Sequence, residues 1–292
     1  MKIGVVGANS YIARNLVKYL EDKGDFVSLY DYTDKYVGDD GNAKHDYCKI
    51  DFSNPESINK IDFSADAIFF FIGLTGPKKS VENYETFINV NEVFFLHFLR
   101  CYVENKSNAL IVYPSSRLIY DSSFELIEEE DKKCFKSIYA ITKYSAEKYL
   151  EIFNNLYGLN YCVFRICVPY GTLIDNCTSY GTYELFVKQA KQNKVITLFG
   201  KGNSLRTFTS IEDICAIFYL AVKNKALWNQ VFNMGGHNMT LFDLANIIAK
   251  KYEATIKFVD WPAFDEKIEV QNSALNSSKL DKVLNYKYKR IE

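Results

Sequence analysis

Short apolar segments alternate with longer amphipathic segments through the first half of the chain. Each apolar segment is four to six residues long and is followed by polar or small residues, which predicts strands at 2–6, 26–30, 47–50, 67–72, 110–113 and 161–166. The segments between them have a helical period, which predicts helices that end at Leu20, span 81–105 and span 139–157. This alternation is typical of α/β proteins with a doubly wound parallel sheet.

The alternation becomes less regular beyond Gly171. Short strands are predicted at 195–199 and 231–234, and helices at 183–192, 212–222, 241–252 and after 276–279. We therefore expect a first domain of residues 1–167, which residues 203–230 rejoin. Residues 168–202 and 231–292 are expected to form a smaller, mixed C-terminal domain, with a cleft between the two domains.

Composition and charge place the chain among ordinary globular proteins and exclude several functions. Of its 292 residues, 48% are hydrophobic and 24% are charged. The formal net charge of -1 gives no basis for binding nucleic acid. The longest apolar run is far shorter than the ~20 residues of a membrane helix, so we expect no membrane partner.

The cysteines, the histidines and the first residues favour a cytoplasmic protein with reduced thiols. The seven cysteines include no C-x-x-C pair, and the histidines, His45, His97 and His237, lie far from one another in the sequence. We expect no metal site from this spacing. The chain passes from Met1 and Lys2 directly into an apolar strand, without the features of a signal peptide.

A turn of small residues after the first strand has the spacing of a dinucleotide-binding fingerprint. Gly7, Ser10 and Ala13 occupy the three small positions of G-x-x-G-x-x-G, between a strand and a helix. Gly7 suits the tight turn, and Ser10 can cap the helix or offer a hydroxyl to a phosphate. This context predicts a Rossmann-like fold, with cofactor contacts at Gly7, Asn9, Ser10, Tyr11 and Ile12.

Residues at the ends of later strands extend the predicted cofactor site. Asp31 ends the second strand, where a carboxylate binds a ribose 2′-hydroxyl and repels a 2′-phosphate, which favours NAD over NADP. Asp51 and Phe52 are placed to flank an adenine ring, although Asp51 suits equally well the capping of the turn that follows it. Small residues would let the backbone approach the cofactor at Gly73, Leu74 and Thr75.

A serine and a Tyr-x-x-x-Lys pair supply candidate chemistry. Tyr139 and Lys143 share a face of a predicted helix, although chance also produces such pairs in a chain with 22 tyrosines. A free tyrosine has a pKa near ~10, so ionisation at neutral pH requires a shift of roughly 3 units, about 4 kcal/mol. The lysine charge and a positively charged nicotinamide ring would both favour that shift. Ser116, after the fifth strand, can hydrogen-bond the reacting oxygen or merely cap a turn.

Together these motifs resemble the extended short-chain dehydrogenase/reductase family, in its NAD-dependent epimerase/dehydratase branch, over nearly the whole chain. The further matching segments are Asn89-Val90-Asn91, Ser115-Ser116 with Ile119-Tyr120, Arg165 with Tyr170-Gly171, and Gly200-Lys201-Gly202 with Arg206 and Asp213. The chain departs from the family at Ser10, Ala13 and Val168, where glycine, glycine and asparagine are usual. The resemblance implies further cofactor contacts at Asn89 and Val168.

The resemblance implies an enzyme that binds NAD and acts on a nucleotide-diphosphate sugar. Tyr139 would exchange a proton with a sugar hydroxyl, usually at C4, while Lys143 holds the nicotinamide ribose and Ser116 orients the reacting oxygen. The implied substrate contacts are Ser116, Arg117 and Arg206, the last of them to the diphosphate.

Arg117 and Leu118 distinguish this chain from the 4,6-dehydratases of the branch, which carry an Asp-Glu pair at these positions. A nucleotide-sugar 4-epimerase and a 4-keto-6-deoxy-sugar reductase remain as alternatives. Asp31 favours the epimerase, because a tightly kept NAD suits a reaction that returns its own hydride. A regulator that senses a dinucleotide without chemistry is a third alternative, which the presence of Tyr139 and Lys143 disfavours.

The resemblance also implies a homodimer. In this family the helices predicted here at 81–105 and 139–157 pair with their symmetry mates. The first of these segments is apolar around most of its circumference, including Phe94, Phe95 and Phe98, which favours a face covered by a second subunit.

Overall fold

The computed structural model describes residues 1–38, 45–177, 179 and 181–291. The strands within these ranges are β1 Lys2–Val6, β2 Phe26–Asp31, β3 His45–Lys49, β4 Ala67–Phe70, β5 Leu110–Ser116, β6 Tyr161–Ile166, β7 Val168–Tyr170, β8 Val195–Phe199, β9 Leu205–Ser210, β10 Gln230–Asn233, β11 His237–Thr240 and β12 Thr255–Val259. The α-helices are α1 Tyr11–Asp22, α2 Pro55–Ile58, α3 Pro77–Glu82, α4 Tyr84–Ile88, α5 Phe94–Glu104, α6 Ile138–Tyr157, α7 Thr182–Asn193, α8 Ile211–Lys223, α9 Leu241–Tyr252, α10 Ala263–Ile268 and α11 Ser278–Leu284. A π-helical turn covers Asn89–Val93, and 3-10 turns cover Arg117–Ile119 and Lys225–Leu227. None of these described helices is long and apolar enough to cross a membrane.

Seven parallel strands form the main sheet, in the order β10, β6, β5, β4, β1, β2, β3. Between β1 and β4 the order reverses, and the chain winds outward from this point in both directions. Because the strands are parallel, their carboxyl ends meet at one edge, and a crevice forms where the order reverses. Val6 pairs with Tyr30 and with Phe70, so the residues that follow these three strands are neighbours. The predicted doubly wound, Rossmann-like α/β fold is confirmed.

Apolar side chains cover both faces of this sheet. On one face, Leu16 of α1 and Phe218 of α8 belong to a fully buried cluster. On the other face, the rings of Phe95 and Phe98 each lie with their centres 4.8 Å from that of Phe70. Burial of each such side chain contributes about 1.5–3 kcal/mol to stability. The sheet is therefore a firm support for the residues at its edge.

A smaller part of the fold consists of two short sheets and the helices α7 and α9. Strand β9 pairs in parallel with β7 and antiparallel with β11, and β8 pairs in parallel with β12. Its apolar core includes Phe186, Ile196, Leu244 and Ile248. The division of the chain into two domains remains a prediction.

Strands β9 and β10 do not belong to the sheets that the predicted domain boundaries imply. The sequence grouping places 203–230 in the first domain, but β9 joins the small sheet with all but its first residue buried. It places 231–292 in the smaller domain, but β10 extends the main sheet beside β6. Strands of four to six residues contain no period that tells which sheet they join, so their placement depends on tertiary packing.

The segment 81–105, predicted as one helix, is divided into several pieces. Asn83 has non-helical backbone angles (φ -128°, ψ 45°) and separates α3 from α4. The π-helical turn then changes the phase of the helix before α5. The hydrophobic period is averaged over the whole segment, so one non-helical residue does not change it and a single helix is predicted. Phe95 and Phe98 are fully buried against the sheet, so the sheet rather than a second subunit accounts for their apolar character.

Replacement of Gly7 by alanine is expected to destabilise the fold strongly. Gly7 has φ +82°, and a Cβ built there would lie 2.7 Å from the backbone nitrogen of Ile72 and 2.8 Å from the carbonyl carbon of Phe71. Gly158, with φ +70° and open space around it, is the matched control. We expect Gly158→Ala to cost about 1–2 kcal/mol. Gly7→Ala should cost at least ~2 kcal/mol more in the free energy of unfolding in urea. Equal costs would show that the backbone beside Gly7 moves away freely.

Candidate active site

Helix α6 is fixed at its start by two hydroxyl groups. The Ser137 side chain accepts a hydrogen bond from the Ala140 amide at 3.2 Å and so caps the helix. The Tyr139 amide donates to the Ser80 hydroxyl of α3 at 3.0 Å. The helix ends at Gly158, which has the left-handed conformation (φ 70°) that favours glycine. The predicted bounds of this helix are correct to within one residue.

Tyr139 and Ser116 meet at the carboxyl end of β5. Both residues are buried, and the Ser116 side chain lies close enough to the Tyr139 phenol to act on its ionisation. Burial raises the pKa of Tyr139 above its ordinary value, and the Ser116 side chain and the charge of Arg117 oppose this increase. With these protein groups alone, the phenol is therefore protonated at neutral pH.

Lys143 lies on the same face of α6 as Tyr139, but its ammonium group bonds to residues of β5. Its ammonium donates to the Pro114 carbonyl at 2.9 Å and to the Tyr113 hydroxyl at 3.3 Å, and it lies 4.6 Å from the centre of the Tyr113 ring. Burial lowers the pKa of Lys143 to about 8, and the charge of Glu147 opposes this decrease. Arg117 is a charge that lowers the pKa of Tyr139, and the expected effect of Lys143 on that pKa stays a prediction.

Gly73 leaves space in front of Lys143. A Cβ built on Gly73 would lie 3.7 Å from the Lys143 ammonium. Together with Leu74, Thr75 and residues of α3 and α4, Gly73 also lines a cavity of about 380 Å³. The structure therefore brings the predicted loop after β4 to the predicted lysine, and the glycine provides room for a ligand beside it.

Asn91 holds this loop in place. It accepts a hydrogen bond from the Leu74 amide at 2.7 Å, and it donates to the Leu74 carbonyl at 3.1 Å and to the Thr142 hydroxyl of α6 at 3.0 Å. Asn89, the predicted contact, is exposed two residues earlier. The π-helical turn places the second asparagine of the same motif inward, so the motif itself was the signal that could have indicated Asn91.

A buried ion pair lies behind the reacting side chains. Glu147 accepts hydrogen bonds from Ser115 and, at 2.7 and 3.1 Å, from Arg165 of β6. Arg165 also donates to the Tyr120 hydroxyl and to the Glu129 carbonyl. Glu147 and Arg165 are 3% and 4% exposed. Removal of either would leave a buried charge unpaired, at a cost of about 3–5 kcal/mol. Sequence reasoning missed Glu147, although it lies one helical turn after the predicted lysine.

The turn after β1 contains two polar atoms that suit a bound phosphate. Ser10 is the N-cap residue of α1, as predicted, but its hydroxyl makes no capping hydrogen bond. Ser10 Oγ and Arg14 Nε are both buried and lack a hydrogen-bond partner among the described residues. A hydroxyl and a guanidinium at a helix N-terminus are groups that a phosphate can use. These atoms fit the pyrophosphate of a dinucleotide, and Arg14 is an addition to the predicted residues.

The other fingerprint residues position neighbouring segments. The Asn9 side chain donates to the Thr33 hydroxyl at 2.6 Å and so fixes the loop after β2. The Tyr11 hydroxyl donates to the Gly171 carbonyl, and burial raises the pKa of Tyr11. Ile12 packs against the apolar core. The predicted cofactor contacts of these residues stay predictions.

Asp31 lies at the end of β2, beside the fingerprint turn. Its carboxylate accepts hydrogen bonds from the Asn9 amide at 2.8 Å and from the Tyr32 amide at 2.7 Å. The residue is only 2% exposed, so these two amides fix its orientation. Each carboxylate oxygen has a second lone pair, which a ribose hydroxyl can use.

Three further predicted cofactor residues have structural roles. The Asp51 carboxylate accepts hydrogen bonds from the Ser53 amide at 2.9 Å and hydroxyl at 2.6 Å, which is the turn-capping alternative. Phe52 is buried in the core and stacks on Phe94 with ring centres 6.4 Å apart. Val168 is buried in the core of the smaller part. The side chains of Phe52 and Val168 therefore pack in the interior.

Arg117 and Arg206, the predicted substrate contacts, share one carboxylate. Nη2 of Arg206 donates to Oε1 of Glu269 at 2.7 Å, and Nη2 of Arg117 donates to the same oxygen at 3.2 Å. Burial and the charge of Arg117 lower the pKa of Arg206 to about 10, and Glu269 opposes this decrease. Glu269 is distant in sequence from both arginines, and no motif in the sequence indicates it.

Comparison with known sequences agrees with this arrangement. A sequence model of the NAD dependent epimerase/dehydratase family matches residues 3–235. A putative UDP-glucose 4-epimerase of Methanocaldococcus jannaschii is 27% identical over 254 residues, which cover 84% of this chain and 80% of that protein.

Solved structures share the whole fold. The UDP-glucose 4-epimerase of Thermotoga maritima, with UDP-glucose, has a TM-score of 0.86 at 23% identity and covers 99% of this chain and 94% of its own. The UDP-glucuronic acid 4-epimerase of Bacillus cereus, in complex with UDP-glucuronic acid and NAD, has a TM-score of 0.87 at 20% identity and covers 100% and 95%. At these identities the likeness establishes the fold alone. The family match spans most of the chain and confirms the resemblance in its motifs, so the chain belongs to the NAD-dependent epimerase/dehydratase family.

Proposed function

We propose that this protein is an NAD-dependent nucleotide-sugar 4-epimerase whose reacting groups are Tyr139, Ser116 and Lys143. The observation that carries the proposal is that Tyr139 and Ser116 are buried together at the carboxyl edge of a parallel sheet, where Ser116 favours the ionised form of the phenol. Lys143 follows on the same helix, beside the space at Gly73. UDP-sugars are the first substrates to test, because the similar proteins are described with UDP-glucose and UDP-glucuronic acid.

The protein groups divide the proton chemistry between them. Bound NAD would supply the hydride chemistry, taking a hydride from the sugar carbon and returning it. Tyr139 takes the proton of the C4 hydroxyl as a carbonyl forms there and gives it back when the carbonyl is reduced. Ser116 donates a hydrogen bond to the same sugar oxygen, which positions it and stabilises negative charge on it. Because the proton returns to the substrate, the tyrosine is restored in each cycle.

Ionisation of Tyr139 is the step that the protein alone does not complete. Burial raises the pKa of the phenol, whereas a proton acceptor must be ionised. Arg117 supplies part of the positive charge that favours the ionised form. The remainder has to come with the bound cofactor, which couples the activation of Tyr139 to cofactor binding.

The neighbours of Ser116 and the acid at Asp31 separate this proposal from its alternatives. Arg117 and Leu118 carry no carboxylate, which disfavours the elimination of water by a dehydratase. Asp31 favours NAD over NADP and therefore an enzyme that keeps its cofactor. Purified protein that retains NAD supports the epimerase. Protein that exchanges NADH or NADPH freely would instead favour the 4-keto-6-deoxy-sugar reductase.

Tyr139→Phe is expected to lower kcat by about 10²–10⁴-fold, because it removes the group that exchanges the proton. NAD binding, measured by calorimetry, should be retained. Tyr144→Phe is the matched control, since Tyr144 lies on the same helix and packs against Phe135. Turnover of UDP-glucose, UDP-galactose and UDP-glucuronate is followed by chromatography.

Two outcomes would contradict the proposed role of Tyr139. Turnover by Tyr139→Phe at the wild-type rate would remove the tyrosine from the chemistry. Wild-type protein that binds NAD but converts none of a broad panel of nucleotide sugars would favour the dinucleotide-sensing regulator.

The buried lysine predicts a pH dependence of stability. Burial lowers the pKa of Lys143 in the folded protein to about 8, below the ~10.4 of an unfolded lysine. Between these values the unfolded chain binds more protons than the folded protein, so stability rises with pH. We expect the unfolding free energy of wild type, minus that of Lys143→Met, to rise by up to about 1.4 kcal/mol per unit between roughly pH 8 and 10. A difference that stays flat in urea titrations would show that Lys143 keeps its ordinary pKa.

We also propose a homodimer through α4 and α6. Ile88 of α4 and Ile141 and Ile152 of α6 are all more than a third exposed, and the two helices lie side by side. Neighbouring exposed apolar side chains favour association. Ile152→Lys is expected to shift the protein toward monomer in analytical ultracentrifugation. Phe124→Lys, at an exposed residue outside these helices, should not. A wild-type monomer at micromolar concentration would contradict the dimer.

A further inference from the structure

Glu269 lies between Arg117 and Arg206, the two arginines that are predicted to contact the substrate. It follows α10, and its Oε1 accepts hydrogen bonds from Arg206 at 2.7 Å and from Arg117 at 3.2 Å. The Glu269 side chain is 23% exposed, whereas those of Arg206 and Arg117 are 2% and 12% exposed. The carboxylate is therefore the most accessible of the three charged groups.

Positive charge exceeds negative charge in this cluster. Lys136 adds a third cation, since its ammonium donates to the backbone carbonyl of Glu269 at 3.0 Å. The other hydrogen bonds of Arg117 and Arg206 go to neutral groups, namely the Ser273 hydroxyl and the carbonyl oxygens of Leu205, Val270 and Gln271. One carboxylate therefore compensates several cations, and uncompensated charge in a buried place is unfavourable.

The cluster adjoins the reacting phenol. Arg117 directly follows Ser116, and its charge acts on Tyr139. An anionic group of a substrate whose sugar lies against Tyr139 would thus meet Arg117 and Arg206 close by. A diphosphate offers more charge and more acceptor oxygens to two guanidinium groups than a single carboxylate does.

We propose that Glu269 is an internal competitor for the substrate diphosphate: it occupies the Arg117–Arg206 pair until the diphosphate displaces its carboxylate. This inference rests on the proposed function, because it takes the substrate to be a nucleotide-diphosphate sugar. The exchange requires only that the partly exposed carboxylate turns toward solvent. The arginines stay in place, because their bonds to neutral backbone and hydroxyl groups remain.

Competition of this kind makes the site selective. A neutral sugar cannot replace the carboxylate on the arginines and gains nothing from them, whereas a diphosphate replaces one ionic contact by several. Displacement of Glu269 costs every anion the same free energy, so only an anion with enough charge and acceptor oxygens to offset that cost binds tightly. Selectivity arises from an element that opposes the wrong ligand as well as from one that attracts the right ligand.

Glu269→Gln tests this competition with inorganic pyrophosphate as the probe. The substitution keeps the size of the side chain but removes the competing charge. With the protein saturated with NAD, so that Ser10 and Arg14 are not open to the probe, we expect the Kd of the full-length protein for pyrophosphate to fall by about tenfold in calorimetry at constant ionic strength. Glu266→Gln, at an exposed residue of α10, is the matched control and should leave the Kd unchanged. An unchanged or higher Kd in Glu269→Gln would overturn the proposal, since a residue that merely orients the arginines would weaken binding when altered.

The melting temperatures of wild type and Glu269→Gln, with and without pyrophosphate, provide a second test of the competition. Without ligand, Glu269→Gln should melt below wild type, because its arginines have lost their counter-ion, and saturating pyrophosphate should raise its melting temperature by more than that of wild type. If Glu269→Gln does not fold, Glu269→Asp keeps the charge but shortens its reach, and a Kd below that of wild type is expected. An equal or higher Kd for a folded Glu269→Asp would overturn the proposal.

Pyrophosphate binding separates this inference from the proposed function. Turnover does not enter the measurement, so a protein without epimerase activity can still show the tenfold change. Conversely, an active epimerase whose Glu269→Gln variant binds pyrophosphate no more tightly than wild type retains the proposed function and loses this inference.

Discussion

A single buried ion pair joins the helix of Tyr139 to the strands that face it. Glu147 of α6 is bonded to Arg165 of β6 and, through Ser115, to the end of β5. Successive strand side chains point in opposite directions, so Ser115 meets the ion pair while Ser116 meets the phenol. The same contact therefore sets both the docking of the helix and the geometry of the reacting pair. A displacement of about 1 Å at such a place can cost an enzyme ~10²-fold in rate.

Around this ion pair, burial decides the charge states of the site. It raises the pKa of Tyr139 and lowers the pKa of Lys143 to about 8, in each case favouring the neutral form. The same low-dielectric surroundings strengthen any interaction with a charge that a ligand brings. At the start of α1, Ser10 and Arg14 have buried polar atoms without a hydrogen-bond partner in the described part of the chain, and around Glu269 one carboxylate faces two guanidinium groups. Both places are suited to respond to charged ligands.

Sequence reasoning succeeds where position along a strand or helix decides the outcome, and it fails where tertiary contact decides. The proximity of Tyr139 to Ser116 and the position of Lys143 on the same helix follow from a helical period and the carboxyl end of a strand, while the roles of these residues stay predictions. The same positional reasoning misplaces the Phe52 side chain, since only the packed neighbours determine which face is buried. Glu269 lies 63 residues from Arg206, and no local pattern connects them. The sequence did not predict four strands, because they are short and are stabilised by pairing with strands that are distant in sequence. These strands are β7, β9, β11 and β12.

The segment 269–273 also gives the site an order of assembly. The Glu269 carboxylate in this segment bonds to Arg117, which lies 152 residues earlier in the chain, and to Arg206, which lies 63 residues earlier. Since a ribosome makes a chain from its amino end, all seven strands of the main sheet can leave it before this segment has been made. Until then the two guanidinium groups lack their counter-ion. A newly made chain can therefore form its main sheet before the carboxylate that pairs with Arg117 and Arg206 exists.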